Sequence, residues 1–199
     1  MRGLRFALYT TCLSYGLRFL LMPFQKDFLR NHGVSPSVLP PNSWRILTAF
    51  EALCCMLVVR PTPTLFAHFY CFKRVREWYY LTARPSVPKI FASLAESVRG
   101  WKEKFLVIGC PNGFDFPTTY SEPTRTEPVA LQENDSIAWQ ELQAFMDERR
   151  WVPLNAQLIV KRWCSGQLAF DEEGTTPTPC PTRRPCVHPR RARLCSFHS

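Results

Sequence analysis

At 199 residues the chain is long enough for one domain with a substantial core plus tails, and too short for two ordinary domains. Apolar residues make up 46% of it, with 15 Phe and 6 Trp, which excludes wholesale disorder. Residues 1–120 hold 15 bases and 6 acids, residues 121–170 hold 5 and 7, and residues 171–199 hold 5 and 3, so the basic excess sits in the first part of the chain. Such a surface draws polyanions without specifying which one.

The 9 cysteines are odd in number and scattered through apolar runs, which predicts thiols used as small hydrophobes in a reducing compartment rather than a disulfide frame. An intracellular location, cytoplasmic or nuclear, is therefore expected. In "MRGLRFALYTTCLSYGLRFLLMPF", Thr10, Thr11, Ser14 and Tyr15 dilute the apolar run and Arg18 interrupts it. A secretory signal peptide is not expected there, and the acid-free stretch up to Asp27 leaves an organellar transit peptide as a minor alternative. The apolar run at 52–59 is too short to span a bilayer and is bounded by Glu51 and Arg60, so no membrane partner is expected.

"PFQKDFLRNHGVSP" reads as a short amphipathic helix, with Phe24, Phe28 and Leu29 on one face and a stop at Gly33 and Pro36. Asn42 or Ser43 then serves as the expected N-cap of a helix running until Pro61 forbids it. From Trp44 to Val59 its only charges are Arg45 and Glu51, which marks it as the buried central helix. "TPTLFAHFYCF" offers Thr62 and Thr64 as caps around Pro63 and predicts a further helix turning Leu65, Phe66, Phe69 and Phe72 to the core.

After Lys73, Arg74 and Arg76 the texture becomes aromatic and β-prone. Residues 77–84 ("EWYYLTAR" from Glu77) and 103–109 read as strands, paired antiparallel with each other. In the second, Lys104 and Leu106 share one face while Phe105 and Val107 share the other. The segment "SVRGWKEKFLVIGC" is read as structural: Gly100 turns the chain, Trp101 anchors it, and Phe105 leads a strand lying beside Trp78.

Turn residues in "CPNGFDFPTTYSEPTRTEP" mark the exit from a domain spanning 1–120. Within a 121–170 linker, "NDSIAWQELQAFMDERR" predicts an accessory helix capped by Asp135 or Ser136, with Ala138, Leu142, Phe145 and Met146 at helical spacing. Residues 171–199 are rich in Pro, Arg and Cys, have little to bury, and are expected to be disordered. The fold class expected is α+β, mainly helical, with several N-terminal helices around a buried central helix and a short antiparallel strand pair.

No residue set satisfies a catalytic template. The acids of the first 120 residues, Asp27, Glu51, Glu77, Glu96, Glu103 and Asp115, stand mostly beside bases rather than forming the metal-binding carboxylate triad of strand transfer. His68 and Cys71 are neighbours at helical spacing, but a buried thiol in an aromatic helix is the commoner meaning. The tail series Cys180, Cys186, His188, Cys195 and His198 departs from the C-x2-C-x4-H-x4-C spacing of a zinc knuckle and is read as incidental. No catalytic residue, metal or cofactor is expected. The sharper alternative is weak, sequence-independent nucleic-acid contact by Lys73, Arg74, Arg76, Lys102 and Lys104, aided by the arginines of the tail.

The ordered signposts "GLRF" (16–19), "PF" (23–24), "GVSPSVLPPNSWRIL" (33–47), "PTPTLFAHFY" (61–70), "WYYLTAR" (78–84) and "GWKEKFLVIG" (100–109) resemble the plant gypsy-type transposon domain, over roughly Leu13 to Thr119. That family lies in the gag-like leading portion of plant long-terminal-repeat retroelements. The resemblance implies a non-enzymatic structural or interaction protein, here a truncated copy, that self-associates through apolar helix faces. A nucleic-acid binder and, remotely, a transposition-associated enzyme stand as its alternatives. In the structural reading Trp44, Trp78, Gly100, Trp101 and Phe105 hold the fold.

Overall fold

The computed structural model describes residues 4–18, 20–92, 98–124, 130–150 and 152–166. In chain order these form β1 (Leu4–Tyr9), α1 (Thr10–Leu13), α2 (Pro23–His32), a 3₁₀ turn at Pro36–Val38, α3 (Pro41–Met56), α4 (Pro63–Phe69), β2 (Tyr70–Val75), β3 (Trp78–Ala83), β4 (Phe105–Cys110), α5 (Glu133–Glu148) and α6 (Ala156–Ser165). The architecture is α+β and mainly helical, with two separate two-stranded antiparallel sheets. Among the described residues no helix is long and apolar enough to cross a membrane.

α3 is the central buried helix, as its near-absence of charge predicts: every residue from Ser43 to Cys54 is buried, including Arg45 and Glu51. Trp44 lies among its fully buried side chains. Its start differs from expectation. Pro41 opens the helix, where the missing N–H of proline is harmless, and Ser43 Oγ instead accepts a hydrogen bond from the Leu81 N–H at 3.0 Å, tying α3 to β3. Its end comes before Pro61, because Val58 takes a positive φ of 57° and the Val59 N–H turns back to Cys54 O at 2.9 Å.

α2 buries Phe24, Phe28 and Leu29 and ends at Gly33, whose left-handed φ of 66° lets Val34 N–H reach Leu29 O. α4 starts where expected, with Thr62 Oγ1 accepting from Leu65 N–H at 3.0 Å and Pro63 following it. It stops earlier than expected, at Phe69. Tyr70 to Val75 are extended instead, because the β-prone run after Arg76 lies only two residues away and pairs with them. Phe72 still reaches the core, from a strand, with its ring 5.7 Å from Phe28 and 6.3 Å from Tyr79.

Both predicted strands form, but they do not pair with each other. β3 pairs with β2 in the register Tyr70↔Ala83 to Val75↔Trp78, and β4 pairs with β1 in the register Leu4↔Cys110 to Tyr9↔Phe105. β1, Leu4–Tyr9, is a strand that the sequence reading does not include. Its signal is alternation: Arg5 is exposed while Phe6 and Leu8 are buried.

α5 begins after Gln132, ahead of the expected caps. Asp135 is buried and accepts from Thr62 Oγ1 at 2.7 Å, while Trp139 stacks on Phe69 at 4.7 Å, so α5 docks on α4. α6, for which the sequence offered no reading, is capped by Asn155 accepting from Leu158 N–H and packs Ile159 and Val160 into the same cluster as α3. Residue 120, the expected end of the first domain, lies between β4 and α5, and Ile108 packs against a core to which Leu142 and Met146 belong. Residues 171–199 lie outside the described residues.

Gly16 is buried at a φ of 98°, and a Cβ there would stand 2.7 Å from Thr48 Oγ1. Thr48 cannot retreat freely, because it accepts a hydrogen bond from Gln25 Nε2. Gly16→Ala is expected to lower stability by about 2 kcal/mol, read as a drop in urea midpoint. An unchanged midpoint would contradict the close approach of this turn to α3.

Candidate functional site

The turn before β4 is built locally. Gly100 takes a φ of 70°, Glu103 N–H closes the turn onto Gly100 O at 3.1 Å, and Thr10 donates through both its N–H and its hydroxyl to Lys104 O. These bonds hold Trp101 inward. Its ring is only 6% exposed and meets Tyr9 and Trp78 edge-to-face, each at 4.7 Å. Tyr9 and Trp78 also touch, at 5.7 Å, which completes a three-ring cluster at the junction of β1, β3 and the turn. Tyr9 was not singled out by sequence; burial, followed by the charges of Cys12 and Glu77, raises its hydroxyl above the ordinary value.

Lys102 caps this cluster, with Nζ 4.2 Å from the Trp78 ring and 5.4 Å from the Trp101 ring. The β2–β3 hairpin supplies the other cations. Cross-strand partners share a face, so Lys73 and Val75 lie on the face of Trp78 and Tyr80, while Arg74 lies on the face of the buried Tyr79. Arg76 occupies the two-residue turn with a positive φ of 58°, the backbone a tight hairpin requires. Arg74 is engaged: its guanidinium pairs with Glu122 at 2.7 Å and donates to Arg76 O at 3.1 Å.

The structure therefore brings Lys73 and Lys102 to the Trp78 face and places Arg76 at its tip. It sends Arg74 to the opposite face beside a carboxylate. Lys104 is exposed, with its backbone carbonyl held by Thr10. Of the residues expected to hold the fold, Trp44 and Trp101 are buried and Trp78 is half-buried in the ring cluster. Phe105 is 57% exposed, because its position in β4 turns it away from the face that Phe6 and Leu8 bury, and its ring meets only the edge of its cross-strand partner Tyr9, at 6.4 Å.

Because the aromatic rings are packed against one another and roofed by Lys102, they are not free platforms for bases. The chemistry this face offers is cationic contact with phosphate.

The other sequence candidates disperse. His68 ends in α4 with its ring 6.0 Å from Trp139, whereas Cys71 lies in β2 opposite Thr82, so the two do not share a helical face. Asp27 pairs with Arg30, and Asp115 pairs with Lys26 at 3.1 Å. Burial pushes the Cys12 thiol up to about 12 and the Cys54 thiol well above its usual value, which suits packing rather than nucleophilic attack. Among the described residues no three His, Cys, Asp or Glu side chains gather as a metal site. The tail cysteines, histidines and arginines lie outside the described residues.

No curated protein and no solved structure matches the chain. A family model described as "putative gypsy type transposon" matches residues 7–74, from within β1 to within β2, and so takes in α2, α3 and α4 while leaving "WYYLTAR" and "GWKEKFLVIG" outside. By that match, residues 7–74, which include the central buried helix, are similar to the gypsy-type transposon domain.

Proposed function

We propose that the protein is a non-enzymatic, gag-like structural protein derived from a gypsy-type retroelement, and that it holds nucleic acid by its phosphates without reading sequence. The observation that carries this reading is the gathering of Lys73 and Lys102 on one face of the Trp78–Trp101 contact, with Arg76 at its tip and, among the described residues, no carboxylate paired to any of the three. Two basic segments that are distant in sequence thus present their charge together. The similarity of residues 7–74 to the gypsy-type transposon domain supports the retroelement setting.

Fluorescence anisotropy of the full chain with labelled single-stranded RNA tests the nucleic-acid contact. Affinity should fall linearly in log–log form with salt, with a slope of roughly 0.7 per phosphate contact on a single strand. Lys73→Ala with Lys102→Ala should lower that slope by about 1.4, whereas Arg74→Ala, already paired with Glu122, should change it less. Slopes that stay the same in the double variant would overturn the assignment of this face.

A further inference from the structure

The second sheet ends in an uncovered edge. Thr10 N–H donates to Lys104 O, so Thr10 and Lys104 face each other as a hydrogen-bonded pair, and alternation along the ladder makes Leu8–Leu106 and Phe6–Ile108 the next such pairs. The N–H and C=O groups of Phe105, Val107 and Gly109 must then point away from β1, to the free side of β4. The same alternation turns the Ala7 carbonyl to the outer side of β1, where Ser37 Oγ donates to it at 2.6 Å, so that edge is closed by the 3₁₀ turn. Among the described residues nothing closes the β4 edge.

Natural edge strands are blunted by charge, proline or a bulge. β4, "FLVIGC", has none of these over its six residues, and it is apolar on both faces: Phe105 and Val107 are 57% and 61% exposed on one, Leu106 41% on the other.

We propose that β4 pairs with β4 of a second copy, antiparallel about a two-fold axis at Val107, to make one four-stranded sheet in the order β1–β4–β4–β1. The register follows from the edge itself. Outward-pointing groups must meet outward-pointing groups, and a centre at Val107 places Val107 opposite Val107 and Phe105 opposite Gly109, so all three outward residues of each copy find partners. Each Phe105 ring then covers the bare backbone of the other copy's Gly109, and Leu106 meets Ile108 on the opposite face.

Charge favours the same arrangement. Lys102 and Lys104 lie at one end of β4, and antiparallel pairing sets the two copies' lysines at opposite ends, with each Lys104 opposite the uncharged Cys110; parallel pairing would stack Lys104 on Lys104. A six-residue edge covers far less than the roughly 800 Å² per partner of a standard stable interface, so the dimer is weak, at about 10 μM or weaker. This proposal stands on β4 alone and does not depend on the cation face. It locates self-association on a sheet edge rather than on the apolar helix faces that the sequence suggested.

Light scattering and sedimentation of the full chain from about 5 to 500 μM, with hydrogen exchange on the same samples, test it. The expected result is a concentration-dependent dimer in which the amides of Phe105, Val107 and Gly109 slow together as concentration rises. Val107→Lys, which places two ammonium groups face to face on the axis, should weaken dimerisation at least tenfold while leaving the melting temperature unchanged, because the side chain is exposed. The same variant should retain RNA binding. Failure of the cation-face reading would instead appear as an unaltered salt slope in Lys73→Ala/Lys102→Ala, so the two are told apart.

A chain that stays monomeric throughout, or a dimer indifferent to Val107→Lys, would overturn the proposal. So would amides already protected in the monomer, which would mean that another part of this chain covers the edge.

Discussion

Trp101→Ala should lower folding stability by about 3–5 kcal/mol, the range for removing a large buried aromatic ring without full collapse of the cavity. The ring stands between Tyr9 at the end of β1 and Trp78 at the start of β3, each at 4.7 Å. Its loss would leave both partners facing a void and would take away one of the two rings beneath Lys102. Because β1 and β3 come from distant parts of the chain, the surrounding backbone has little freedom to close the gap. Chemical denaturation of the purified variant gives the number directly. Phe105→Ala is the control, since a ring that is 57% exposed and meets Tyr9 only at 6.4 Å should change stability by no more than ~0.5 kcal/mol. Equal effects at the two positions would mean that the turn does not direct Trp101 inward.

The second large effect is a pH dependence centred on Glu51. Its carboxyl lies in the middle of α3, 3% exposed, where burial pushes its pKa up to about 8 against the opposing pull of the Gln25 hydrogen bond and the Arg18 charge. The ordinary value, 4.5, is that of the unfolded chain. Below pH 4.5 both states hold the proton, and the site imposes no penalty. Between 4.5 and 8 the unfolded chain releases a proton that the folded chain keeps, so stability falls as pH rises, and the decline levels off above 8.

At about 1.4 kcal/mol per pH unit, the penalty at pH 7 is of order 3 kcal/mol. Glu51→Gln removes the titration and keeps the shape, and Gln25 Oε1 is a buried acceptor without a partner that the new amide can use. The variant should therefore be more stable than the parent by roughly 3 kcal/mol at pH 7 and nearly equal to it at pH 4. Urea titrations at the two pH values decide this. A variant less stable than the parent at pH 7 would show that the ionised carboxylate is held by its neighbours rather than penalised by burial.

Much of the helical part of the fold was legible in the sequence because its signals are local. Phe24, Phe28 and Leu29 recur at helical spacing ahead of a glycine that accepts a left-handed φ, and Thr62 precedes a proline that begins a helix well. The charge-poor run after Ser43 is buried because few of its side chains lose hydration by being enclosed. The candidate site was legible only in part. Lys73, Arg76 and Lys102 were chosen for charge, but their convergence depends on Trp78 meeting Trp101, and the diversion of Arg74 depends on Glu122 arriving from 48 residues away. Tyr9 and the α6 helix were overlooked for the same reason: each owes its meaning to what it packs against.

The sequence by itself determined the helix faces, the left-handed stop at Gly33, the locations of two of the four described strands, and a resemblance whose first part, up to residue 74, lies within the family match. Only the tertiary structure decided which strands pair, because a β-prone segment carries the same alternation whatever its partner. β3 took the neighbour two residues away, where closing the loop costs least, and this left β4 to the distant β1, whose Phe6 and Leu8 bring it to the core. That second pairing used one edge of β4 and turned Phe105, Val107 and Gly109 outward. The open edge is thus a product of the pairing, because a strand's free hydrogen-bonding groups are defined only once its partner is known.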